Sequence, residues 1–260
     1  MTREADRSAP AHGRTNGRAR GSTPFVLRGG SASARVRTWS FSDDIAHVVL
    51  LHPPRLPSLG DLDQWCGQLA DRGYRRIRTG ALGTTAGIRV EQAGFHPAQE
   101  LVLLEHVAPH TVAGPALATH RLFATRRGRA SDIDQAAFGA GWRLDPAAIA
   151  DVCAATPHHR ARVAGHADHD GTARGPAAYA VTGRDGRQGF LQRLAVRPES
   201  QHQGLGRALV ADSLRWLAHR RVHRVLVNTP VDNDAAIALY EGMGFERLPE
   251  HLHVYERSLP

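Results

Sequence analysis

The sequence predicts an α/β (α+β) fold on three observations. Strand-like and helix-like runs alternate along most of the chain, one strand feeds a helix through a glycine turn at residues 194–209, and an early order of elements recurs later. Length and composition permit such a fold: 260 residues with 42% hydrophobic content can bury one large core or two small ones. The longest apolar runs, such as Ile45–Leu51 and Leu101–Leu104, fall far short of a bilayer span, so no membrane partner is expected. No apolar signal core follows the basic N-terminus, and a cytoplasmic location is expected.

Charge and cysteine usage point to no special partner. Cys66 and Cys153 fall in separate expected helices and read as free buried thiols. The net charge is +8, and all 33 basic residues are arginine. That bias reads as GC-rich codon usage, and no aromatics interleave the N-terminal arginines for base stacking, so nucleic acid is not an expected partner.

In chain order, residues 1–34 mix Arg, Gly, Ser, Thr and Ala without apolar periodicity and read as a disordered Arg-rich tail. Residues 35–112 turn globular, with an apolar run Ile45–Leu51, helix-like Leu59–Leu69, strand-like Tyr74–Arg78, Ala86–Phe95 and Glu100–His106. In the second half, Leu122–Thr125 reads as a first strand. Ser131–Phe138 follows as a helix with Ser131 or Asp132 near its cap. Arg160–Ala164 and Ala177–Thr182 read as strands. His166-Ala-Asp168-His169-Asp170 between them reads as a polar hairpin loop flanked by Gly165 and Gly171, and no metal is expected.

Gly189–Val196 is the strand that enters the glycine turn. There, Gln201-His202-Gln203-Gly204-Leu205-Gly206-Arg207-Ala208 leaves backbone N–H groups uncovered at a helix start, where free donors and the positive dipole end attract a pyrophosphate. The amphipathic stretch Leu209–Leu217 and strand-like Arg224–Asn228 follow. Then comes Asp232-Asn233-x-x-Ala236-x-x-Leu239-Tyr240-x-x-x-Gly244-Phe245.

This succession closely resembles the GNAT superfamily of N-acetyltransferases over residues 118–258, and the segment Asn233–Phe245 is most similar to ribosomal-protein N-terminal acetyltransferases. The resemblance implies a mixed, mostly antiparallel sheet flanked by helices. It implies acetyl-CoA as acyl donor, no metal, and direct attack by a primary amine of a protein N-terminus or small molecule. By the same resemblance the pantetheine arm lies beside Leu194-Ala195-Val196, and the pyrophosphate falls on the amides from Gln203 to Ala208. Tyr240 would protonate the departing thiolate, and Asn233 would bond the coenzyme or stabilise the turn before its helix.

At the position of that family's glutamate base stands Asn228, whose amide accepts no proton and can only orient a water or the substrate. A water chain, another acid such as Asp145 or Glu199, or an acyl-CoA-binding regulatory protein with little turnover all remain open. The resemblance gives acceptor choice to the loop Phe138–Asp145, with Trp142 a candidate cleft wall and Arg143 and Asp145 candidate readers of substrate charge.

The early half echoes the late one. Ala86-x-x-x-Val90-x-x-Ala93-Gly94-Phe95 has the spacing of Ala236-x-x-x-Tyr240-x-x-Met243-Gly244-Phe245 about 150 residues on, which argues for duplication. The chain thus resembles a tandem GNAT with a partial first copy. In that copy Pro53, Pro54 and Pro57 remove donors that a phosphate would need, and Val90 replaces the tyrosine. The first half is therefore expected neither to bind acetyl-CoA nor to catalyse, and to serve packing or the acceptor cleft.

Overall fold

The computed structural model describes residues 23–51, 55–139, 142–165 and 175–260. The first half opens with a hairpin of β1 (Phe25–Arg28) and β2 (Ser33–Thr38), which places Leu27, Ala34 and Val36 in the core. This corrects the expected disordered tail over residues 25–34. Four residues are too few to show a period, and the Gly29-Gly30 turn reads as low complexity until β2 pairs with it. Residues up to 22 lie outside the described residues.

β3 (Ile45–Leu51) follows, then α1 (Leu59–Asp71), β4 (Arg76–Thr79), α2 (Thr84–Gln92) and the long β5 (His96–His106). α1 buries Leu62, Trp65, Cys66 and Leu69, a spacing of three and four residues that lines one helical face. That face and α2 cover Ala34, Val36, Ala46, Val48 and Ile77 on one side of the sheet.

The second half begins with the two-residue β6 (His120–Arg121), and residues 124–126 turn as a 3-10 helix. The expected strand Leu122–Thr125 is therefore displaced: pairing with β7 ends where Leu122 N donates to Ala161 O at 3.1 Å, and the Leu122 side chain is buried beneath the next helix. α3 (Arg127–Ala137) starts four residues earlier than expected, and Ser131 lies buried within it, donating to Leu144 O at 2.9 Å rather than capping. α4 (Pro146–Ala154) is capped by Asp145, which accepts from Ala148 N at 2.7 Å. β7 (His158–Ala164), β8 (Ala178–Asp185) and β9 (Gln188–Val196) form an antiparallel meander. The His166–Asp170 segment lies outside the described residues. α5 (Leu205–Ala218), β10 (Arg224–Pro230), α6 (Asp234–Glu241) and β11 (Glu246–Ser258) close the chain.

All strands join one sheet in the order β1-β2-β3-β4-β11-β5-β10-β9-β8-β7-β6. Its pairs are antiparallel except β3 with β4 and β9 with β10, the two that flank helices α1 and α5. The echo in the sequence thus corresponds to two copies of strand, helix, parallel strand, helix, strand. The final strands are exchanged: β11 pairs with β4 of the first half, and β5 pairs with β10 of the second. Tyr255 and Leu259 accordingly enter the first core, and Val102 and Leu104 the second. The segments 35–112 and 118–258 are not separate units, because each core contains a strand from the other. Among the described residues no helix is long and apolar enough to cross a membrane.

Candidate functional site

β9 and β10 pair only at Arg224 with Gln188, Val225 with Gly189 and Leu226 with Phe190. Beyond Phe190 the strands diverge, so one backbone edge of β9 runs unpaired by β10 from Leu191 to Val196. Such an edge offers alternating N–H and C=O groups to an extended ligand. α5 starts at the mouth of this gap. Its N-cap Gly204 has φ +82°, a left-handed conformation that glycine adopts without strain. The amides of Leu205, Gly206 and Arg207 precede the first intrahelical bond, which Ala208 donates to Gly204 O at 2.9 Å. They are available to an anion at the positive end of a fourteen-residue helix. A Cβ on Gly206 would stand 3.2 Å from Leu239 of α6, so glycine there lets the two helices approach.

A cleft of about 360 Å³ occupies this gap and is lined by Leu194, Ala195, Val196, Gln201, His202, Gly204, Leu205, Gly206, Arg207 and Asn233, with Phe138 and Leu239 among its walls. Four expected residues lie off the lining. Gln203 points away and donates to Glu199 O at 3.2 Å. Ala208 is buried and its amide is already engaged in the helix, which removes it from the expected row of phosphate donors. Tyr240 is buried among Val227, Ile237 and Phe245, its ring 5.6 Å from Phe245. Burial raises its phenol well above the ordinary value, so it is neutral at any physiological pH, and the charge of Arg193 acts weakly against that shift. Asn228 faces a different cleft.

Asn233 caps α6: its Oδ1 accepts from Ala236 N at 3.2 Å, and its Nδ2 donates to Thr229 Oγ1 at 3.1 Å. Arg207 reaches across to the end of α6, donating to Gly242 O at 3.0 Å. Of the alternative acids, Asp145 is spent as the α4 cap and Glu199 is exposed beside Arg197, and neither lines either cleft.

The second cleft, about 320 Å³, opens between the halves. β9 and β10 contribute Gln192, Arg193 and Asn228, the Phe138–Asp145 loop contributes Trp142 and Leu144, and α4 contributes Asp151. β2 and β3 contribute Arg35, Arg37, His47 and Val49 from the sheet face that α1 and α2 leave uncovered. Trp142 is thus a cleft wall, 6.0 Å from Trp39, and Arg78 stacks 4.5 Å from its ring. Arg143 lies over Phe41 at 4.3 Å instead of entering the cleft. His47 packs 4.9 Å from Trp39, and burial, reinforced by Arg78, lowers its pKa to about 4.

One buried cluster that the sequence reading overlooked holds the two clefts in place. Asp134 is fully buried and accepts from Arg193 Nε and Nη2 at 2.8 Å each, from Leu144 N at 2.6 Å, and from the Tyr179 hydroxyl. Arg193 also donates to Trp142 O at 2.7 Å and lies 3.7 Å over the Phe138 ring. The network fastens the loop between the clefts to β9. Strand period alone could not have signalled it: a bulge in β9 between Leu191 and Arg193 turns Arg193 to the face it shares with Ala195, against α3, while Leu191 packs beneath α5.

The N-terminus of α1 in the first half is filled by the chain itself. Ser58 caps α1, accepting from Asp61 N at 3.0 Å, while the Asp61 carboxylate accepts from Ser58 N at 3.0 Å, Gly30 N at 2.7 Å and the Ser31 hydroxyl. A carboxylate of the chain itself therefore occupies the helix N-terminus where α5 leaves its amides open. The hydrogen bonds from Ser31 and Ser58 hold this carboxyl far below the usual range. Gly29 is required beside it, because a Cβ there would fall 2.3 Å from Asp61 Oδ1. The Ser58-x-x-Asp61 spacing is a capping-box pattern that could have signalled this.

The sequence profile of the Acetyltransferase (GNAT) family matches residues 129–245, which span α3 to α6 and therefore the whole first cleft. Residues 129–245 form a GNAT domain. Its similarity extends to a mycothiol acetyltransferase of Kocuria rhizophila, 44% identical over 27% of this chain and 22% of that protein. It also extends to the [ribosomal protein bS18]-alanine N-acetyltransferase of Escherichia coli, 42% identical over 26% of this chain and 47% of that protein. The match spans less than half the length of these curated relatives. In structure, a tandem GNAT protein from the clavulanic acid biosynthesis pathway shares the fold over 89% of this chain and 81% of its own, with a TM-score of 0.59 at 16% identity. The likeness thus extends beyond the GNAT domain to the paired arrangement of both halves.

Proposed function

We propose that the protein transfers an acetyl group from acetyl-CoA to a primary amine by direct attack in a ternary complex. The observation that carries this reading is the divergence of β9 from β10 at the strand that leads into the open N-terminus of α5. An extended pantetheine arm pairs with the β9 edge at Leu194-Ala195-Val196, and the amides of Leu205, Gly206 and Arg207 take the pyrophosphate. A backbone N–H near Ala195 or Val196 polarises the thioester carbonyl.

The amine enters from the second cleft. Its lone pair attacks the carbonyl carbon, the carbon–sulfur bond breaks, and coenzyme A departs as a thiolate. Tyr240 lies beside Leu239 of the acyl cleft and near enough to Arg193 of the acceptor cleft to feel its charge. Its phenol, protonated at physiological pH, gives its proton to that thiolate and regains one from solvent. Asn228 orients the amine or a water, and the ammonium proton leaves to solvent. An α-amine with a pKa near 8 retains an appreciable neutral fraction, which suits a site without a carboxylate base. The only carboxylate in the acceptor cleft among the described residues, Asp151, is engaged by Arg37.

That last observation also favours a second reading, an acyl-CoA-binding regulatory protein with little turnover. One experiment separates them. Acetyl-CoA is titrated by calorimetry into wild type and Gly204→Asp, and free coenzyme A thiol is followed with an amine panel. Binding and thiol release that are both lost in the variant support the transferase. Binding without release from any amine supports the regulatory protein, and binding that survives Gly204→Asp overturns the site.

A further inference from the structure

The acceptor cleft holds an unbalanced positive charge. Arg37 is engaged by Asp151, Arg78 by Glu256 at 2.6 Å, and Arg193 by Asp134 at 2.8 Å. Arg35, half-buried on β2 and lining the same cleft, has no carboxylate partner among the described residues. His47 beside it is neutral at physiological pH and adds no charge. An arginine that lines a cleft without a carboxylate presents a planar fork of donors matched to an oxyanion.

The amine end is fixed elsewhere. Asn228 stands on β10, and β2 is separated from β10 by β3, β4, β11 and β5, five inter-strand steps or about 24 Å measured across the strands. A ligand that touches both ends is elongated, and Trp39 and Trp142 give its middle an apolar wall.

From this placement we infer that the acceptor is an elongated amine that carries a carboxylate, bound by Arg35 of the first half while its amino group lies at Asn228. The inference names the substrate class for the proposed acetyl transfer and rests on that reading for the role of the amine. It assigns the first half a direct part in substrate selection, and it disfavours polyamines and other polycationic acceptors, which Arg35 repels.

The test uses N-acetylated peptides of two to four residues, mimics of the product, each as the free acid and as the C-terminal amide. Calorimetry measures their binding to the full chain, which requires no turnover. Wild type is expected to bind at least one free acid about tenfold or more tightly than its amide. Arg35→Gln should bring the two within about twofold, and Arg35→Lys should restore part of the preference. Unchanged thermal unfolding of both variants shows that the fold is intact. Equal binding of acid and amide by wild type, no binding of either, or a preference that persists in Arg35→Gln overturns the inference. A parallel acetyl-CoA titration keeps the two readings apart: acid preference without acetyl-CoA binding sustains the carboxylate site and removes the transferase.

Discussion

His47 makes the stability of the protein depend on mild acid. It sits on β3 in the acceptor cleft, edge-on to Trp39, and faces Arg78, Arg35 and Arg37 with Asp151 opposing them. Burial first and Arg78 second lower its pKa from 6.5 to about 4. A histidine whose folded pKa is depressed contributes stability that is complete above its unfolded value and disappears as pH falls through the window from 6.5 towards 4. Weighing the protonated fractions of the two states gives a loss of about 2 kcal/mol between pH 7.5 and pH 5, with a limit of about 3 kcal/mol below pH 4. Urea unfolding of wild type and His47→Gln at pH 7.5, 6 and 5 measures it, since the variant keeps every other titrating group. Wild type should lose about 2 kcal/mol more than the variant across that range. Parallel slopes, within about 0.5 kcal/mol, would refute the assignment of a His47 imidazole held neutral in the folded state below its ordinary pKa.

Three further outcomes test the division of labour. Tyr240→Phe should retain acetyl-CoA affinity in calorimetry and lower kcat by about a hundredfold, as loss of a positioned proton donor does; unchanged kcat would confine Tyr240 to packing against Phe245. Asp61→Ala should cost about 2 kcal/mol in urea unfolding, because it removes the carboxylate half of the α1 capping box and leaves the Gly30 and Ser58 amides without their acceptor. Acetyl-CoA stoichiometry should be one per chain in wild type, and a second site in the wild-type protein would contradict an α1 N-terminus filled by the chain itself.

Much of the site could be read from the sequence because it is local. A strand, a glycine at a left-handed N-cap and a helix are consecutive, so residues 194–207 reveal their own geometry. Asn233 was legible for the same reason, as the cap of the helix that begins beside it. The errors fall where pairing at long range overrides local pattern. β1 is strand only because β2 lies against it, and Ala208 was placed among the phosphate donors because residue spacing does not show which amide the helix has already used.

By itself the sequence determined the alternation of elements, their repeated order and the glycine turn at the start of α5, since those depend on period, glycine placement and neighbours within a few residues. Only the tertiary structure decided that β5 and β11 trade places, that Asp61 fills the N-terminus of α1 with help from Gly30 and Ser31, and that Arg35, His47 and Asn228 line one cleft. Those contacts join residues tens to hundreds of positions apart. Local propensity carries no record of such meetings, because they are fixed by which strand edges and charged side chains find partners when the two cores close.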